Sequence, residues 1–380
     1  MSRTILNPGD PVPWFTCRST NNPAFVFDTA AGRHIVLSFY GSAGVERNAA
    51  ILRHVTTTLR RSFDDENIAF FGISIDPQDE SEARVKQMEP GIRYFWDFDG
   101  RLSAAYGAVD ASRPWDEGKS EYRSFTLVLD PGLHVIANIA MADPDRHNEI
   151  LSRIVANLPR MASVDVPAPV LVLPNLFEPQ FCRRLIELYD NQGGAESGFM
   201  RQRDGKTVGV FDHSFKRRKD FRFEDAAEHQ ELRTAIRARI NRRLVPEVKK
   251  AFQFQATRIE RYVVACYEGE TGGFFRAHRD NTTKGTAHRI FACTVNLNAE
   301  EYEGGDLRFP EYGRRTYRAP TGGVVVFSCS LLHEALPVTK GRRYAFLPFL
   351  YDNEAAKIRA ENLKFLTGEI IDNTAGKMEP

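Results

Sequence analysis

The first 160 residues contain apolar runs that alternate with stretches of helical spacing. Residues 34–40 and 68–76 are apolar at nearly every position, which is typical of strands buried on both faces. Each run is followed by a predicted helix, at residues 45–63 and 78–88. The remaining predicted elements are a strand at residues 94–97, a short helix at 102–106 and a hairpin of residues 124–130 and 135–140. This order predicts a layered α/β domain.

The pattern changes after residue 160. Residues 161–169 contain two prolines and predict an extended linker. A short strand at 170–175 and a helix at 178–190 follow, and a charged helical stretch at 226–252 is expected to bend at Pro246. We therefore predict an α+β protein of two domains with these limits: a first domain at 1–160, a linker at 161–169, a second domain at 170–352 and a tail at 353–380.

Composition and charge are those of an ordinary two-domain protein. The 380 residues carry 51 Lys and Arg against 50 Asp and Glu, a net charge of +1, so we expect no nucleic-acid partner. Basic clusters such as residues 216–219 are expected to be solvated helix faces. The start of the chain has no apolar signal region, and no stretch approaches the ~18 apolar residues of a membrane span. With five scattered cysteines and no C-x-x-C pair, we expect a cytoplasmic protein without a membrane partner.

The candidate chemistry is concentrated in the second domain. One residue separates His278 from Asp280, and His333 follows 53 residues after the aspartate. In a strand, residues i and i+2 point to the same face, so His278 and Asp280 can reach one metal ion. Two imidazoles and a carboxylate on one side of an octahedral ion leave three positions open, as in non-haem Fe(II) oxygenases. Arg343, ten residues after His333, would give a carboxylate-bearing co-substrate a charged fork.

The residues around these side chains resemble a known family. Residues 267–280 read Tyr-Glu-Gly-Glu-Thr-Gly-Gly-Phe-Phe-Arg-Ala-His-Arg-Asp, residues 302–309 read Tyr-Glu-Gly-Gly-Asp-Leu-Arg-Phe, and His333 opens His-Glu-Ala-Leu-Pro-Val. From roughly residue 170 to residue 352 the chain resembles the 2-oxoglutarate- and Fe(II)-dependent dioxygenases of the prolyl 4-hydroxylase-like group. The resemblance implies a double-stranded β-helix, or jelly roll, with supporting helices. It also implies hydroxylation of a prolyl-type protein side chain or of a small molecule, with release of succinate and carbon dioxide.

The same resemblance implies roles for individual residues. It makes His278, Asp280 and His333 the iron ligands. It makes Arg343 the partner of the C5 carboxylate of 2-oxoglutarate, with Tyr267 as a hydrogen-bond donor to the co-substrate. Arg342 competes with Arg343, because neighbouring strand residues face opposite sides and a one-residue shift in register would exchange them. Ascorbate is implied as the reductant.

Further predictions concern the surroundings of the iron. An apolar wall that keeps water from the site is expected from Phe274, Phe291 and Phe327. Residues 198–223 are polar and contain glycines, and they read either as a substrate lid that includes Arg217 and Arg218 or as a plain surface loop. His288 and Arg289 are expected to form an ordinary ion pair in a loop.

The first domain resembles the peroxiredoxins, which share the thioredoxin-like fold. The resemblance rests on five stretches: Gly9-Asp10-Pro11-Val12-Pro13, the strand leading into Gly41-Ser42-Ala43-Gly44, Ser74-Ile75-Asp76, Asp97-Phe98-Asp99-Gly100 and Thr126-Leu127-Val128-Leu129-Asp130. A peroxidatic thiol should lie where the first strand meets the first helix, because a helix N-terminus stabilises a thiolate. No cysteine occurs between Cys17 and Cys182. We therefore expect a redox-inactive module used for docking, substrate presentation or dimerisation.

Two other classes of function stay open at this point. A metal-dependent hydrolase can also use two histidines and an aspartate, but it would need a general base and would have no use for Arg343. A non-catalytic scaffold or an oxygen or redox sensor is favoured by the missing thiol. The intact set of His278, Asp280 and His333 opposes it.

Overall fold

The computed structural model describes residues 5–110, 121–224 and 227–372. The chain forms two compact units: Met1–Val166 with Pro310–Arg314, and Pro167–Phe309 with Arg315–Pro380. The division between Val166 and Pro167 falls inside the predicted linker. Residue 226 of the predicted helix and residues 373–380 of the predicted tail lie outside the described residues. Within the described ranges, no helix combines the length and the apolar character of a membrane span.

The N-terminal unit is built around a five-stranded sheet. Its elements are β1 Thr16–Cys17, β2 Phe25–Val26, β3 His34–Gly41, α1 Glu46–Thr56, β4 Ile68–Ser74, α2 Pro77–Ser81, β5 Ile92–Trp96, α3 Arg101–Ala105, β6 Phe125–Leu129, β7 Val135–Ala140 and α4 Pro144–Asn157. The strand order is β5-β4-β3-β6-β7, with β3, β4 and β5 parallel and β6 and β7 antiparallel. Every residue of β3 and β4 is buried, as the apolar runs predicted. The thioredoxin-like layer is confirmed.

Three helices of this unit differ from the prediction. The helix predicted at 45–63 ends at Thr56. The helix predicted at 78–88 ends at Ser81, and Ala83 has a positive φ of 52°, which an α-helix does not allow. Helix α4 was not predicted. Its sequence signal is Asp143, which accepts hydrogen bonds from the backbone N–H groups of Asp145 and Arg146 and so caps the helix.

The C-terminal unit contains the remaining strands and four α-helices of the described residues. Its elements are β8 Leu171–Leu173, α5 Pro179–Gln192, β9 Ala195–Glu196, β10 Phe199–Arg203, β11 Lys206–Phe211, β12 Lys216–Arg217, β13 Lys219–Arg222, α6 Gln230–Arg239, α7 Val245–Phe252, β14 Arg258–Glu260, β15 Val263–Glu268, β16 Phe274–His278, β17 Phe291–Asn296, β18 Glu303–Gly304, β19 Leu307–Arg308, β20 Thr316–Tyr317, β21 Val324–Ser328, β22 His333–Ala335, β23 Val338–Lys340, β24 Arg342–Phe346, β25 Phe349–Tyr351, α8 Asn353–Asn362 and β26 Leu366–Asp372.

Two antiparallel sheets form the jelly roll that the sequence predicted. The larger sheet runs β14-β25-β17-β24-β15-β13-β9, and the smaller runs β12-β16-β22-β19-β20. Alternation along β15 separates its two faces. Val264 and Cys266 pack in the core that includes residues of α5, α6 and α7. Val263, Ala265 and Tyr267 pack on the other face, with Phe275 of the smaller sheet. We call the space between the two sheets the interior of the jelly roll.

Residues 198–223 are not a loop. They contain β10, β11, β12 and β13, and β13 pairs with β15 inside the larger sheet. Lys216 and Arg218 are buried, whereas Arg217 and Lys219 are exposed. The interpretation of residues 216–219 as a solvated helix face was therefore wrong. Strands alternate between inward and outward positions every two residues. In this extended segment the inward residues are charged as well, so the alternation is not visible in the sequence.

The charged helical stretch is interrupted before its proline. Between α6 and α7, residues Ile240–Leu244 form a π-helical turn, and Pro246 lies in the first turn of α7. Proline has no N–H to donate, and its ring collides with the carbonyl of the residue four positions earlier. The wider π turn places the irregularity one turn before the predicted bend.

Candidate active site

Three side chains that could hold one metal ion meet at the end of β16 and the start of β22. His278 ends β16, His333 begins β22, and the two residues are register partners. The Nε2 atom of His278 lies 3.6 Å from Oδ1 of Asp280, and Nε2 of His333 lies 3.3 Å from its Oδ2. One ligand atom from each residue lies within 4.8 Å of the others. The structure thus brings together the three residues predicted as ligands, and their role stays a prediction.

Backbone carbonyls orient both imidazoles. Nδ1 of His278 lies 2.8 Å from the carbonyl oxygen of Arg276, and Nδ1 of His333 lies 3.0 Å from that of Leu331. A carbonyl oxygen only accepts, so each Nδ1 carries a hydrogen, and in the neutral form of each ring Nε2 keeps its lone pair. Both lone pairs are on the atoms nearest Asp280, which is the arrangement that a metal ion requires.

The electrostatics of the group favour the same state. Burial lowers the pKa of His278 to about 4, and the neighbouring His333 contributes to the decrease. Burial alone would raise the pKa of Asp280, but the two imidazoles hold it well below its ordinary value. At neutral pH His278 is therefore neutral and Asp280 is charged. These are the protonation states in which they bind metal ions.

Aromatic rings surround the two histidines. The Phe275 ring stacks on His278 with 3.5 Å between centroids, and the Phe327 ring lies 4.6 Å from His333. Phe309 is 5.0 Å from Phe327. Of the three phenylalanines predicted for this wall, only Phe327 is there. Phe291 packs against Phe252 and Phe254 in the helix-side core, and Phe274 lies beside Arg217 and Arg276.

A β-bulge explains why Phe275 replaces Phe274. Phe275 pairs with Ala335 and His278 with His333, so three steps along β16 match two steps along β22. The extra residue reverses the alternation of faces in β16. Phe275 and His278 consequently share a face, and Arg276 between them is exposed. Regular alternation would have placed Phe274 and Arg276 on the face of His278.

Arg343 and Arg342 lie on opposite faces of β24. Arg342 is exposed, whereas Arg343 is only 3% exposed and is the register partner of Tyr267. The guanidinium carbon of Arg343 lies 4.9 Å from the centre of the Tyr267 ring. Its Nε and Nη1 atoms are buried without a hydrogen-bond partner in the part of the chain that the structure describes. A buried cation with two free donors fits an anionic group of a bound molecule.

Tyr267 and Tyr302 supply two further hydroxyl groups to this region. The Tyr267 hydroxyl accepts a hydrogen bond of 3.2 Å from Nη1 of Arg218. The Tyr302 hydroxyl is buried and has no partner among the described residues. A Cβ atom on Gly305 would lie 2.7 Å from Cγ2 of Val338, 3.2 Å from Cδ of Arg343 and 3.4 Å from the Tyr302 ring. Glycine is therefore needed where Arg343 and Tyr302 approach each other, and its φ of 69° also favours glycine.

Comparison with known families agrees with this geometry. The model of the 2OG-Fe(II) oxygenase superfamily matches residues 262–351, a stretch that includes all five predicted site residues. The C-terminal unit is a 2OG-Fe(II) oxygenase domain. Such a domain implies Fe(II) and 2-oxoglutarate, and the free donors of Arg343 and the convergent ligand atoms of His278, Asp280 and His333 fit these groups. The model of the AhpC/TSA family matches residues 8–143 of the N-terminal unit.

The relatives of the oxygenase domain are hydroxylases. A PKHD-type hydroxylase of Acinetobacter baumannii is 31% identical over 147 residues, which are 37% of this chain and 62% of that protein. One from a Synechococcus species is 32% identical over 93 residues, 23% of this chain and 41% of that protein. The chain spans about half the length of the curated relatives it matches.

Three solved structures match this chain at low sequence identity. A prolyl hydroxylase of Trichoplax adhaerens is 19% identical and covers 57% of this chain and 94% of its own, with a TM-score of 0.41. A prolyl-4-hydroxylase of Pseudomonas putida is 17% identical and covers 48% and 93%, with a TM-score of 0.35. A peroxidoxin of Mycobacterium tuberculosis is 20% identical and covers 40% and 99%, with a TM-score of 0.32.

Outside the metal group, the oxygenase domain contains an ion pair that was predicted. His288 lies 2.5 Å and Arg289 lies 2.8 Å from the carboxylate of Glu260. Glu260 belongs to β14, so the pair ties a turn to a strand. Arg218 was predicted only as part of a substrate lid or a surface loop, and Tyr302 was not predicted as a site residue. The only sequence signal for Tyr302 is its place in the Tyr-Glu-Gly-Gly motif.

In the AhpC/TSA unit, the loop before α1 is occupied by carboxylates. Asp79 is fully buried and accepts hydrogen bonds of 3.0 and 3.1 Å from the Ala43 backbone N–H. Ser42 donates a hydrogen bond of 2.6 Å to Asp76. The thiol of Cys17 lies elsewhere, and burial, with Asp97 and Asp99, raises its pKa to about 12. A thiol with so high a pKa is a poor nucleophile, as a redox-inactive unit requires.

Proposed function

We propose that this protein is a 2-oxoglutarate- and Fe(II)-dependent dioxygenase. The reaction would hydroxylate a prolyl-type protein side chain or a small molecule and would release succinate and carbon dioxide. One observation carries the proposal. The interior of a single jelly roll contains three convergent metal-binding side chains and a buried arginine, Arg343, whose two donors have no partner among the described residues.

In this reaction, separate groups of residues would bind the metal ion, bind the co-substrate and exclude water. His278, Asp280 and His333 would hold the iron, and Arg343 and Tyr267 would bind the C5 carboxylate of 2-oxoglutarate. When bound, the iron supplies the redox chemistry that couples oxidation of 2-oxoglutarate to hydroxylation of the substrate. The rings of Phe275, Phe309 and Phe327 would exclude bulk water from the two histidines.

The two alternative classes fit the geometry less well. A metal-dependent hydrolase needs the metal group but gives no reason to bury Arg343 without a carboxylate partner. A scaffold or sensor without catalysis gives no reason to keep three side chains with their metal-binding atoms within 4.8 Å. Burying polar groups without partners is costly, so such groups indicate a ligand.

Release of succinate tests the proposal. The full chain is incubated with Fe(II), oxygen and 2-oxoglutarate, with and without candidate substrates such as prolyl peptides. We expect succinate that depends on all three components, at a low rate without substrate and at a higher rate with it. The proposal is wrong if no succinate forms under any of these conditions. Hydrolysis supported equally by Zn(II) without 2-oxoglutarate would favour the hydrolase.

The remaining expectations complete the proposal. Ascorbate would restore the ferrous state after turnover without substrate, and its omission should shorten the time over which succinate accumulates. The N-terminal unit would serve docking or dimerisation, and we propose no nucleic-acid or membrane partner for a chain of net charge +1. All five cysteines are free, which supports a reducing compartment such as the cytoplasm.

A further inference from the structure

Three charged or polar side chains lie side by side on the inner face of the larger sheet. Tyr267 of β15 pairs with Arg343 of β24, and Cys266 pairs with Lys219 of β13. Arg218 immediately precedes Lys219, so it lies opposite Tyr267 on the other side. The guanidinium carbons of Arg218 and Arg343 lie 5.6 and 4.9 Å from the centre of the Tyr267 ring. One phenol therefore lies between two buried guanidinium groups.

The direction of one hydrogen bond fixes the direction of a second. Nη1 of Arg218 lies 3.2 Å from the Tyr267 oxygen. Arginine has only donors, so the phenol oxygen accepts this bond and its own hydrogen is left for another acceptor. The structure shows no acceptor for that hydrogen within the described ranges, and the neighbouring Arg343 has donors only. The phenol O–H and the free N–H groups of Arg343 are thus all available to one anion.

Arg218 is itself held rigidly. Its Nε and Nη2 atoms each lie 2.7 Å from a different oxygen of Asp220, which is the two-bond geometry of an arginine and a carboxylate. Asp220 also accepts a hydrogen bond of 2.5 Å from Ser197. Both side chains of the Arg218–Asp220 pair are at most 4% exposed. The guanidinium plane cannot rotate without breaking these bonds, so Nη1 stays directed at Tyr267.

The charges near this pair support an anionic ligand. Arg218 and Arg343 are buried, and of these two cations only Arg218 forms an ion pair with the Asp220 carboxylate. Burial and the neighbouring Arg218 lower the pKa of Lys216 well below its ordinary value, so Lys216 is not a permanent cation of this group. Adding a carboxylate here reduces an excess of positive charge, which is favourable in an environment of low dielectric constant.

We propose that Arg218 is a positioning residue for 2-oxoglutarate, which acts by directing the phenolic hydrogen of Tyr267 at the co-substrate carboxylate. This inference rests on the proposed function and adds to it a residue that lies between β12 and β13, outside the iron-binding motif. Arg218 does not touch the co-substrate. Its effect must therefore pass through Tyr267, and a purely structural Arg218–Asp220 pair would have no such dependence.

A double-mutant cycle tests this dependence. The dissociation constant of 2-oxoglutarate is measured by calorimetry on the full chain loaded with Mn(II), for the wild type, Arg218→Met, Tyr267→Phe and the double variant. A hydrogen bond to a charged group contributes ~1.5–3 kcal/mol, so Tyr267→Phe should weaken binding ~10-fold or more. Arg218→Met should weaken it ~5-fold or more in the wild-type background and less than ~2-fold in the Tyr267→Phe background.

Further variants separate a fold defect from a binding defect. Breaking a buried ion pair costs ~3–5 kcal/mol, so Arg218→Met is also prepared together with Asp220→Asn, which removes both charges. Arg218→Lys keeps the positive charge but loses the planar guanidinium that forms two parallel hydrogen bonds. This variant should bind 2-oxoglutarate with intermediate affinity. Arg239→Met is the matched control, because Arg239 pairs with Glu178 at 2.7 Å on the helix side. It should leave the dissociation constant unchanged.

The outcomes are distinct. Equal weakening by Arg218→Met in both backgrounds, or no weakening in the wild-type background, overturns the inference and leaves the proposed function intact. Absence of 2-oxoglutarate binding to the wild-type protein overturns both. Intermediate binding by Arg218→Lys together with the loss of effect in the Tyr267→Phe background supports the inference.

Discussion

The two units differ in whether the polar groups of their candidate sites already have hydrogen-bond partners within the chain. In the AhpC/TSA unit, the backbone N–H of Ala43 near the start of α1 is already bonded to the buried carboxylate of Asp79. In the oxygenase domain, two donors of the buried Arg343 have no partner among the described residues. The loop that leads into α1 is thus satisfied from within, whereas the interior of the jelly roll keeps donors that a ligand could complete. This difference agrees with the redox-inactive role predicted for the first unit and with the catalytic role proposed for the second.

Removing a metal ligand should have the largest effect. His278→Ala removes one of the three proposed protein ligands, and the loss of even an outer partner of a metal ligand costs ~10–100-fold in activity. We expect succinate formation to fall by at least ~100-fold with an unchanged circular dichroism spectrum. Tyr344→Phe is a control, since the Tyr344 hydroxyl donates to Asp190 on the helix side. Succinate formation at the wild-type rate by His278→Ala would remove His278 from the site.

Substituting Arg343 and Arg342 one at a time compares a buried and an exposed arginine of the same strand. Arg343→Gln removes the charge and the two free donors, and two charge-assisted hydrogen bonds correspond to ~3 kcal/mol or more. The KM for 2-oxoglutarate should rise ~100-fold. Arg342→Gln changes an exposed residue of β24 and should alter the KM by less than ~2-fold. The reverse order of effects would show that Arg342 holds the carboxylate.

The AhpC/TSA unit can be tested by adding the missing thiol. A cysteine at Ser42 would replace a hydroxyl that donates to Asp76, so the carboxylate should keep the thiol protonated. In a chain that also carries His278→Ala, we expect Ser42→Cys to consume peroxide no faster than a free thiol. Adding Asp76→Asn should increase the rate of thiol alkylation ~10-fold, the effect of one pKa unit on the thiolate fraction. Fast peroxide turnover by the parent His278→Ala chain would contradict a redox-inactive unit.

The smallest expected effect is a pH dependence of the stability of the N-terminal unit. Burial raises the pKa of Asp97 to about 6, although the backbone N–H groups of Leu102 and Ser103 donate to it. The folded pKa exceeds the unfolded value of ~3.9, so this contribution to stability is complete below pH ~4 and is lost as the pH rises through ~6. The Tm of the N-terminal unit should therefore fall by a few degrees more in the wild type than in Asp97→Asn between pH 4.5 and 7.5. Equal changes in Tm in the wild type and in Asp97→Asn would contradict a raised pKa of Asp97.

The sequence predicted the parts of the site that depend on spacing along the chain. His278, Asp280 and His333 meet because strand contexts and a family motif locate them, and the choice of Arg343 over Arg342 followed from its distance to His333. The structure places Arg343 in the interior and Arg342 on the exposed face, as that choice required. Local patterns also located the strands of the AhpC/TSA sheet, since their buried positions are consecutive.

The parts that depend on pairing between strands were not predictable. Arg218 lies beside Tyr267 only because β13 pairs with β15, and its charged neighbours gave residues 216–219 the composition of a surface. Phe275 reached His278 through a bulge that alternation alone does not reveal. Tyr302 approaches Arg343 across Gly305, a contact between segments about 40 residues apart along the chain.

The bulge in β16 has a consequence for how this segment tolerates change. The ring on His278 belongs to Phe275, and not to a neighbour, because three residues of β16 match two of β22. Deleting one residue between Phe275 and His278 would match two steps of β16 to two of β22, so both side chains would stay on one face without a bulge. Exchanging the exposed Arg276 would also leave the match intact. Functional variants of this protein should therefore tolerate substitutions at position 276 and a single-residue deletion between 275 and 278, whereas an insertion there would enlarge the mismatch between the two strands.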